Sequence, residues 1–337
     1  MRARLQPRAF LLPMIGAVML LVGCGSASNG PTTHRDISNR SVARPTAGVS
    51  SIAPLVAHPE GFLPAGVQFP AAVALGDRLL LMGGLDQATA SVSDIVRATP
   101  GPSEQIGTLP YAVHDAAGAA LHGTAYVIGG GEPSHSEILA VDSAGGATVV
   151  GHLPAAASDV AAGVINGTAY VVGGYTGVAP LDTIVASTGS GTGRVVAHLP
   201  HPVRYTAVAP VAGRLIIAGG TRGDVATREV YSFDPADDQV HQIGLLPREL
   251  THAAGAALGN RVYVIGGRGT DQGTQTSAIL AVDPVSGRVE PAGRLPVGLS
   301  DLGAATIGGA VVVAGGRQSD GVLSNRLYAL RPQVGAR

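Results

Sequence analysis

Polar residues that could bind a ligand or move a proton recur at one position, four and five residues after a Leu-Pro pair. Arginine there can hold an anion, histidine can act as an acid or base, and aspartate can accept hydrogen bonds or bind a cation. The alternative is that Asp and Ser recur because they cap backbone N–H groups in turns. The pairs are Gln68-Phe69, His114-Asp115, Ser158-Asp159, Arg204-Tyr205, Thr251-His252 and Ser300-Asp301. Seven of these residues are candidate ligand-binding residues: His114, Asp115, Asp159, Arg204, Tyr205, His252 and Asp301.

A second charged set follows a recurring Gly-Gly pair. Arg222, Arg268 and Arg317 come one or two residues after the second glycine. Aspartates come four residues after the same glycine, at Asp224, Asp271 and Asp320. The arginines are candidate ligand-binding residues at the rim of a site. Alternatively, each Arg-Asp pair fixes its own loop, and such exposed pairs contribute little.

Composition excludes several kinds of chemistry. All 22 basic residues are arginines, so no lysine chemistry is available, and the only cysteine is Cys24. The histidines lack the HxH or HxxxH spacing that metal sites often use, and no GxSxG motif occurs. We therefore predict no metal and no cofactor, although a site assembled from distant residues would escape this argument.

The positions of both sets follow from an internal repeat. Gly-Gly pairs end apolar runs such as "AYVIGG" and "VYVIGG", with second glycines at 84, 130, 174, 220, 267 and 316. A Leu-Pro pair precedes each one, and its proline always lies 20 residues before the second glycine. We number these units repeat 1 to repeat 6. A constant interval in every copy indicates one rigid structural piece.

Each repeat predicts four antiparallel strands. A strand of small residues, a two-residue turn such as Asn166-Gly167 and an apolar strand form one hairpin. Segments such as "SAILAVDP" and "RVEPAG" form a second, less clear in repeats 1 and 3. Six such units predict an all-β, six-bladed β-propeller. Since repeat 6 lacks a fourth strand, we expect residues 51–58 to complete it.

The Gly-Gly pair, the hairpin and the period together resemble the kelch repeat family, over about residues 51–332. The resemblance implies a kelch-type propeller of the galactose-oxidase-like superfamily. The Trp that kelch repeats usually carry is missing, with Val240 and Val289 at the expected positions. Copper-radical chemistry of the galactose oxidase kind needs a cysteine cross-linked to tyrosine, and Cys24 lies outside the repeats. The Asp-box motifs of sialidases need a Trp, which the chain lacks.

The N-terminus predicts export. Residues 1–23 have arginines at 2, 4 and 8 and an apolar stretch from Ala9 to Val22, as in a signal peptide. The sequence "LVGC" resembles the lipobox of bacterial lipoproteins, which implies lipidation of Cys24; an ordinary secretory signal is the alternative. Residues 24–50 are polar and predict a flexible tether. The domain then spans 51–337, lipid-anchored and extracytoplasmic.

These observations favour a non-enzymatic function. After removal of the signal peptide the formal charge falls from −1 to −4, which gives no reason to expect nucleic-acid binding. We expect a monomeric binding module that contacts an envelope protein or glycan through the face formed by both charged sets. The alternative is a carbohydrate-active enzyme, an epimerase, mutarotase or lyase, with acid/base chemistry from His114, His252 or Asp301.

Overall fold

The computed structural model describes residues 53–333, and these residues form strands, turns and loops without a helix. The signal peptide, Cys24 and the tether, predicted over residues 1–50, lie outside the described residues. Within the described part of the chain, no helix is long and apolar enough to span a membrane.

Each repeat folds into antiparallel strands, as the pattern of turns predicts. Repeats 1 to 3 contain these strands: β2 (Ala71–Leu75), β3 (Arg78–Met82), β4 (Asp94–Ala98) and β6 (Glu104–Thr108); β7 (Ala117–Leu121), β8 (Thr124–Ile128), β9 (Glu137–Val141) and β10 (Ala147–His152); β11 (Ala161–Ile165), β12 (Thr168–Val172), β13 (Thr183–Ser187) and β15 (Arg194–His198). Two short strands, β5 (Gly101–Pro102) and β14 (Gly191–Thr192), connect neighbouring repeats by pairing with β1 (Leu55–Phe62) and β10.

Repeats 4 to 6 follow the same plan. Their strands are β16 (Ala207–Val211), β17 (Arg214–Ala218), β18 (Thr221–Arg222), β19 (Val225–Asp234) and β20 (Gln239–Leu250); β21 (Ala254–Leu258), β22 (Arg261–Ile265), β23 (Ala278–Val282) and β24 (Val289–Arg294); β25 (Gly303–Ile307), β26 (Ala310–Ala314) and β27 (Arg326–Pro332). In repeat 4, β18 forms a short hairpin with the start of β19.

The N-terminal strand pairs with the C-terminal one. β1 runs antiparallel to β27, from Leu55 opposite Pro332 to Phe62 opposite Arg326. The strand therefore lies four residues later than the predicted 51–58. Leu55 and Val56 also pair in parallel with β24. This pairing joins repeats 5 and 6, so the hydrogen bonds form five sheets rather than six separate ones.

The innermost strands form a closed ring. β2 contacts β7, and contacts continue through β11, β16, β21 and β25 back to β2. Small residues allow these strands to converge, since a Cβ added to Gly118 would lie 2.7 Å from the carbonyl oxygen of Ala72. The arrangement is that of an all-β propeller.

The core lies between neighbouring repeats, in a series of apolar clusters. One contains Leu80 and Ile95 of repeat 1 with Leu139 of repeat 2. Another contains Leu79 of repeat 1 with Leu327 of repeat 6. The propeller is therefore held closed by packing between the last and first repeats as well as by the β1–β27 pairing.

The Gly-Gly pairs end the second strand of each repeat at a crowded point. Gly266 and Gly267 have φ of 63° and 90°, and a Cβ on Gly266 would lie 2.2 Å from the carbonyl oxygen of Leu299. Only glycine fits both the left-handed backbone and this close approach. The exit places the residues after each pair, including Arg268, beside those that follow Leu-Pro, as the bridge between Thr251 and Arg268 shows.

Candidate functional site

Equivalent residues of all repeats surround the axis in an unusual backbone conformation. Phe69, Asp115, Asp159, Tyr205, His252 and Asp301 have φ between 54° and 62°. The left-handed region is uncommon for such side chains, but because it recurs in every repeat the fold sets it. Backbone hydrogen bonds link these residues, for example Phe69 N–H to Asp301 O at 2.8 Å and Asp301 N–H to His252 O at 2.9 Å.

These side chains enclose a narrow cavity that we call the throat, of about 120 Å³. Its lining includes the carboxyl groups of Asp115, Asp159 and Asp301. The ring of Tyr205 stacks on that of His252 with 3.9 Å between centroids, and Phe69 lies 5.8 Å from His252. The throat thus combines carboxyl groups with a cluster of planar rings.

Arg204 lies above the throat and is paired. Its Nε donates to Asp159 Oδ2 at 2.5 Å, and its Nη2 donates to the Tyr205 hydroxyl at 3.2 Å. Its Cζ also lies 4.3 Å from the centre of the Tyr175 ring. Burial acts to lower the pKa of Arg204, but Asp159 and Tyr205 outweigh it and the pKa is raised. The guanidinium is therefore permanently charged and largely neutralised by Asp159.

Arg204 and Tyr205 separate two larger cavities. The basic lobe has a volume of about 560 Å³ and is lined by Arg268 and Arg317. The acidic lobe has a volume of about 460 Å³ and is lined by His114, Asp115 and Glu132. The other residues of the basic lobe include Gln68, Thr221, Asp224, Thr251, Thr270 and Gln272, which offer hydroxyl, amide and carboxylate groups.

The basic lobe contains two arginines without a carboxylate partner. Nη1 of Arg268 donates to the carbonyl oxygens of Gly269 and Thr270, at 3.1 and 2.8 Å. Among residues 53–333, neither Arg268 nor Arg317 forms an ion pair, and the side chain of Arg317 has no hydrogen bond. Two positive charges therefore face a cavity large enough for a small ligand.

His252 is buried at the floor of the basic lobe in its neutral form. Burial and the charges of Arg268 and Arg204 hold the pKa of His252 well below its ordinary value. Nη2 of Arg268 lies 3.3 Å from Nε2, and the Thr251 hydroxyl lies 2.9 Å from Nδ1. Because a guanidinium can only donate, Nε2 is the acceptor and Nδ1 carries the proton.

Asp301 is a buried carboxyl group of the basic lobe whose pKa is strongly raised. Its Oδ2 accepts a hydrogen bond from Ser300 at 2.6 Å, whereas Oδ1 is buried without a partner, 3.9 Å from His252 Nε2. Burial raises the pKa of Asp301 to about 7, although Ser300, Arg268 and Arg317 act to lower it. Near neutral pH this group can both donate and accept a proton.

The acidic lobe has a different balance of charge. The His114 ring bonds to the Ser91 hydroxyl at 2.8 Å through Nδ1, and its Nε2 lies 3.8 Å from Asp115. Burial lowers the pKa of His114, although Asp159 and Glu132 act to raise it. Burial together with Asp159 and Asp301 raises the pKa of Asp115 well above its ordinary value. Ser91 lies at the position that Leu323 occupies in repeat 6, and no polar residue recurs there, so the sequence offered no signal for it.

Several sequence-based interpretations do not match the geometry. Arg222 does not line either lobe; its side chain is exposed, and Nη1 lies 3.9 Å from Glu229. In the described residues, Arg268 and Arg317 do not pair with Asp271 and Asp320, so the expected Arg-Asp loop braces are absent. Asp159 and Asp301 accept hydrogen bonds from side chains rather than capping backbone N–H groups.

The remaining candidates lie together. Arg204, Tyr205, His252, Asp301, Arg268 and Arg317 line the basic lobe, while His114, Asp115 and Asp159 line the acidic lobe together with Arg204 and Tyr205. Within residues 53–333, no group of three His, Cys, Asp or Glu side chains is placed to hold a metal ion. The geometry is that of a polar, charged mouth at one end of the propeller axis.

Comparison with known proteins bears on the fold alone. No protein-family model matches the sequence, and no curated protein matches it. The chain is similar to the solved structure titled "Structure of YjhT", with a TM-score of 0.70, 14% identity, and coverage of 80% of this chain and 96% of that chain. This likeness supports the all-β propeller.

Proposed function

We propose that this protein is a six-bladed, kelch-type propeller that binds an acidic glycan at the envelope through its basic lobe. Four antiparallel strands in each repeat, with β1 as the fourth strand of repeat 6, and the closed ring of inner strands support the blade number. The Gly-Gly and Leu-Pro pattern supports the kelch assignment. The sequence "LVGC" supports a lipid anchor on Cys24, which C24A combined with metabolic labelling by an alkyne fatty acid would test.

The proposed ligand rests on one observation: two arginines of the basic lobe have no carboxylate partner in the described residues. Arg204 is neutralised by Asp159, whereas Arg268 and Arg317 face the same cavity without a carboxylate partner in the described residues. A ligand carboxylate supplies the missing counter-charge, since charged hydrogen bonds to arginine are among the stronger polar contacts. Hydroxyl and amide side chains around it suit sugar hydroxyls.

Calorimetry with charge-matched sugars tests this proposal. We expect glucuronic acid to bind and glucose, which lacks the carboxylate, to bind at least about tenfold more weakly. R317Q removes the cation without breaking a hydrogen bond, and should weaken glucuronic acid binding about 10- to 100-fold. R78Q is the control, since Arg78 is the first residue of β3, at the end of the strand away from the Gly-Gly exit. Equal binding of glucuronic acid by R317Q and R78Q would contradict the proposal.

Asp301 favours a second candidate function, an enzyme that moves a proton on a carbohydrate. Its buried, unpartnered Oδ1 and its pKa of about 7 suit a general acid/base in an epimerase, mutarotase or lyase. In a mutarotation, the ionised carboxylate would accept the proton of the anomeric hydroxyl as the bond from C1 to the ring oxygen breaks, and water would protonate the ring oxygen. Ring closure on the other face of C1 would reverse both proton transfers. Proton NMR of freshly dissolved α-glucuronic acid should show faster anomer equilibration with wild-type protein than with D301N. Identical rates for both proteins would exclude mutarotation of this sugar by Asp301.

A further inference from the structure

The acidic lobe has no role in binding a carboxylate, yet it adjoins the basic lobe. The two cavities share Arg204 and Tyr205 as a common wall, so a single ligand lying over this wall would contact both. One cavity presents two cations without carboxylate partners, and the other presents Asp115 and Glu132. Cations on one side of the wall and carboxyl groups on the other favour a ligand whose ends differ in charge.

Asp115 is the residue that marks the acidic lobe as a binding site. Its side chain is 7% exposed and lines both the acidic lobe and the throat. Within residues 53–333 it accepts no hydrogen bond, and Nε2 of His114 lies 3.8 Å from its Oδ2. A buried carboxyl group without a donor is unfavourable. A donor brought by a ligand would satisfy it.

Asp159 cannot play the same part, although it lies beside Asp115 in the throat. Its Oδ2 already accepts from Arg204 at 2.5 Å, and its side chain is 5% exposed. Glu132, by contrast, lies at the exposed rim of the acidic lobe. The acidic lobe therefore offers Asp115 at its base and Glu132 at its rim.

We infer that the two lobes hold the opposite ends of one zwitterionic ligand, an amino sugar acid, with its carboxylate at Arg268 and Arg317 and its ammonium group at Asp115 and Glu132. This inference rests on the proposed function for the carboxylate end. An ammonium group has three donors, and the hydroxyl groups of Ser134 and Ser158 lie in the same lobe to accept those that remain.

The protonation state of Asp115 should change when the ammonium group binds. Burial, Asp159 and Asp301 raise the pKa of Asp115 well above its ordinary value, while Arg204 acts to lower it. The other titratable groups of the acidic lobe are His114, Glu132, Tyr175 and Tyr205. An ammonium group would lower the pKa of Asp115 again, so its binding should release a proton.

The experiment is calorimetry of the protein with four probes: muramic acid, which carries a carboxylate and an amine, N-acetylmuramic acid, glucosamine and glucuronic acid. We expect muramic acid to bind about tenfold more tightly than either N-acetylmuramic acid or glucosamine. Titration in phosphate and in Tris, whose ionisation enthalpies differ, should show proton release with muramic acid. D115N should abolish both the preference and the proton release, because asparagine tolerates the left-handed backbone at this position but cannot ionise.

The control and the outcomes separate this inference from the proposed function. D77N changes an exposed carboxylate in a distant turn and should keep both the preference and the proton release. Equal affinities for muramic and N-acetylmuramic acid, or an unchanged preference in D115N, would overturn the zwitterion. Equal affinities for glucosamine and muramic acid would show that the carboxylate adds nothing to binding, and would overturn the inference that both lobes hold one ligand. If R317Q binds glucuronic acid as tightly as wild type, the carboxylate site fails and the zwitterion fails with it.

Discussion

The basic and acidic lobes come from the same positions of the repeat but differ in charge and in pairing. Residues after Gly-Gly are Arg268 and Arg317 in the basic lobe, whereas Glu132 and Tyr175 occupy the corresponding loops of the acidic lobe. The fold therefore provides a nearly symmetrical frame, and substitutions in single repeats make it asymmetric. Function in such a propeller resides in the differences between repeats rather than in their common pattern.

Substitution of Arg204, which forms the wall between the lobes, has the largest predicted effect on stability. R204M would leave Asp159 buried without its cation, and we expect a loss of about 3–5 kcal/mol in the free energy of unfolding. R204M/D159N should recover part of this loss, because the uncompensated charge is gone. Chemical denaturation of the three proteins measures both values.

R97M is the matched control for the wall. Arg97 pairs with Glu104 on the surface, where an ion pair contributes about 0–1 kcal/mol. If R204M costs no more than R97M, Arg204 does not act as a buried, charge-neutralising wall.

The stability of D301N should differ from that of wild type in its pH dependence. The pKa of about 7 in the folded protein exceeds the ordinary value of 3.8, so the folded state holds a proton that the unfolded state releases. Wild-type stability from this group is present below about pH 4 and is lost as the pH rises through 7. D301N lacks this loss, and its free energy of unfolding relative to wild type should increase over that window by at most about 4 kcal/mol. Denaturation at pH 5 and pH 9 covers about 3 kcal/mol of this change, because pH 5 already lies inside the window. A pH-independent difference would place the pKa of Asp301 in the ordinary range.

The two histidines test a smaller difference between the lobes. Thr251 bonds to His252, which is 6% exposed, and Ser91 bonds to His114, which is 13% exposed. T251V leaves a buried Nδ1–H without an acceptor and should cost about 1–2 kcal/mol, whereas S91A should cost less because water can replace the hydroxyl. Thermal unfolding of both variants provides the comparison. If S91A loses more stability than T251V, the hydrogen bond of His114 rather than that of His252 is the more buried one.

The sequence predicted the frame better than the site. The constant interval from Leu-Pro to Gly-Gly predicted the inner hairpins, and the missing strand of repeat 6 predicted the pairing of the N-terminal strand. Spacing along the chain does not reveal which side of a short strand a residue occupies. In β18, successive side chains point to opposite faces, so Thr221 lines the basic lobe and Arg222 points away.

Pairing between repeats was also beyond sequence reasoning. Arg204 and Asp159 lie 45 residues apart and meet only because neighbouring repeats pack around the axis. Their ion pair neutralises Arg204, which is why Arg268 and Arg317 rather than Arg204 are the proposed carboxylate ligands. Asp301 looks like Asp159 in the repeat, but it has Ser300 rather than arginine as its partner.

A crystal structure of the protein with glucuronic acid tests the central claim most directly. We expect the carboxylate of the sugar to lie in the basic lobe within hydrogen-bond distance of Arg268 and Arg317, with Arg204 still paired to Asp159. A carboxylate bound at Arg204 with the Asp159 pair broken, a sugar held only in the acidic lobe, or a basic lobe empty at a sugar concentration that saturates binding in solution would contradict it.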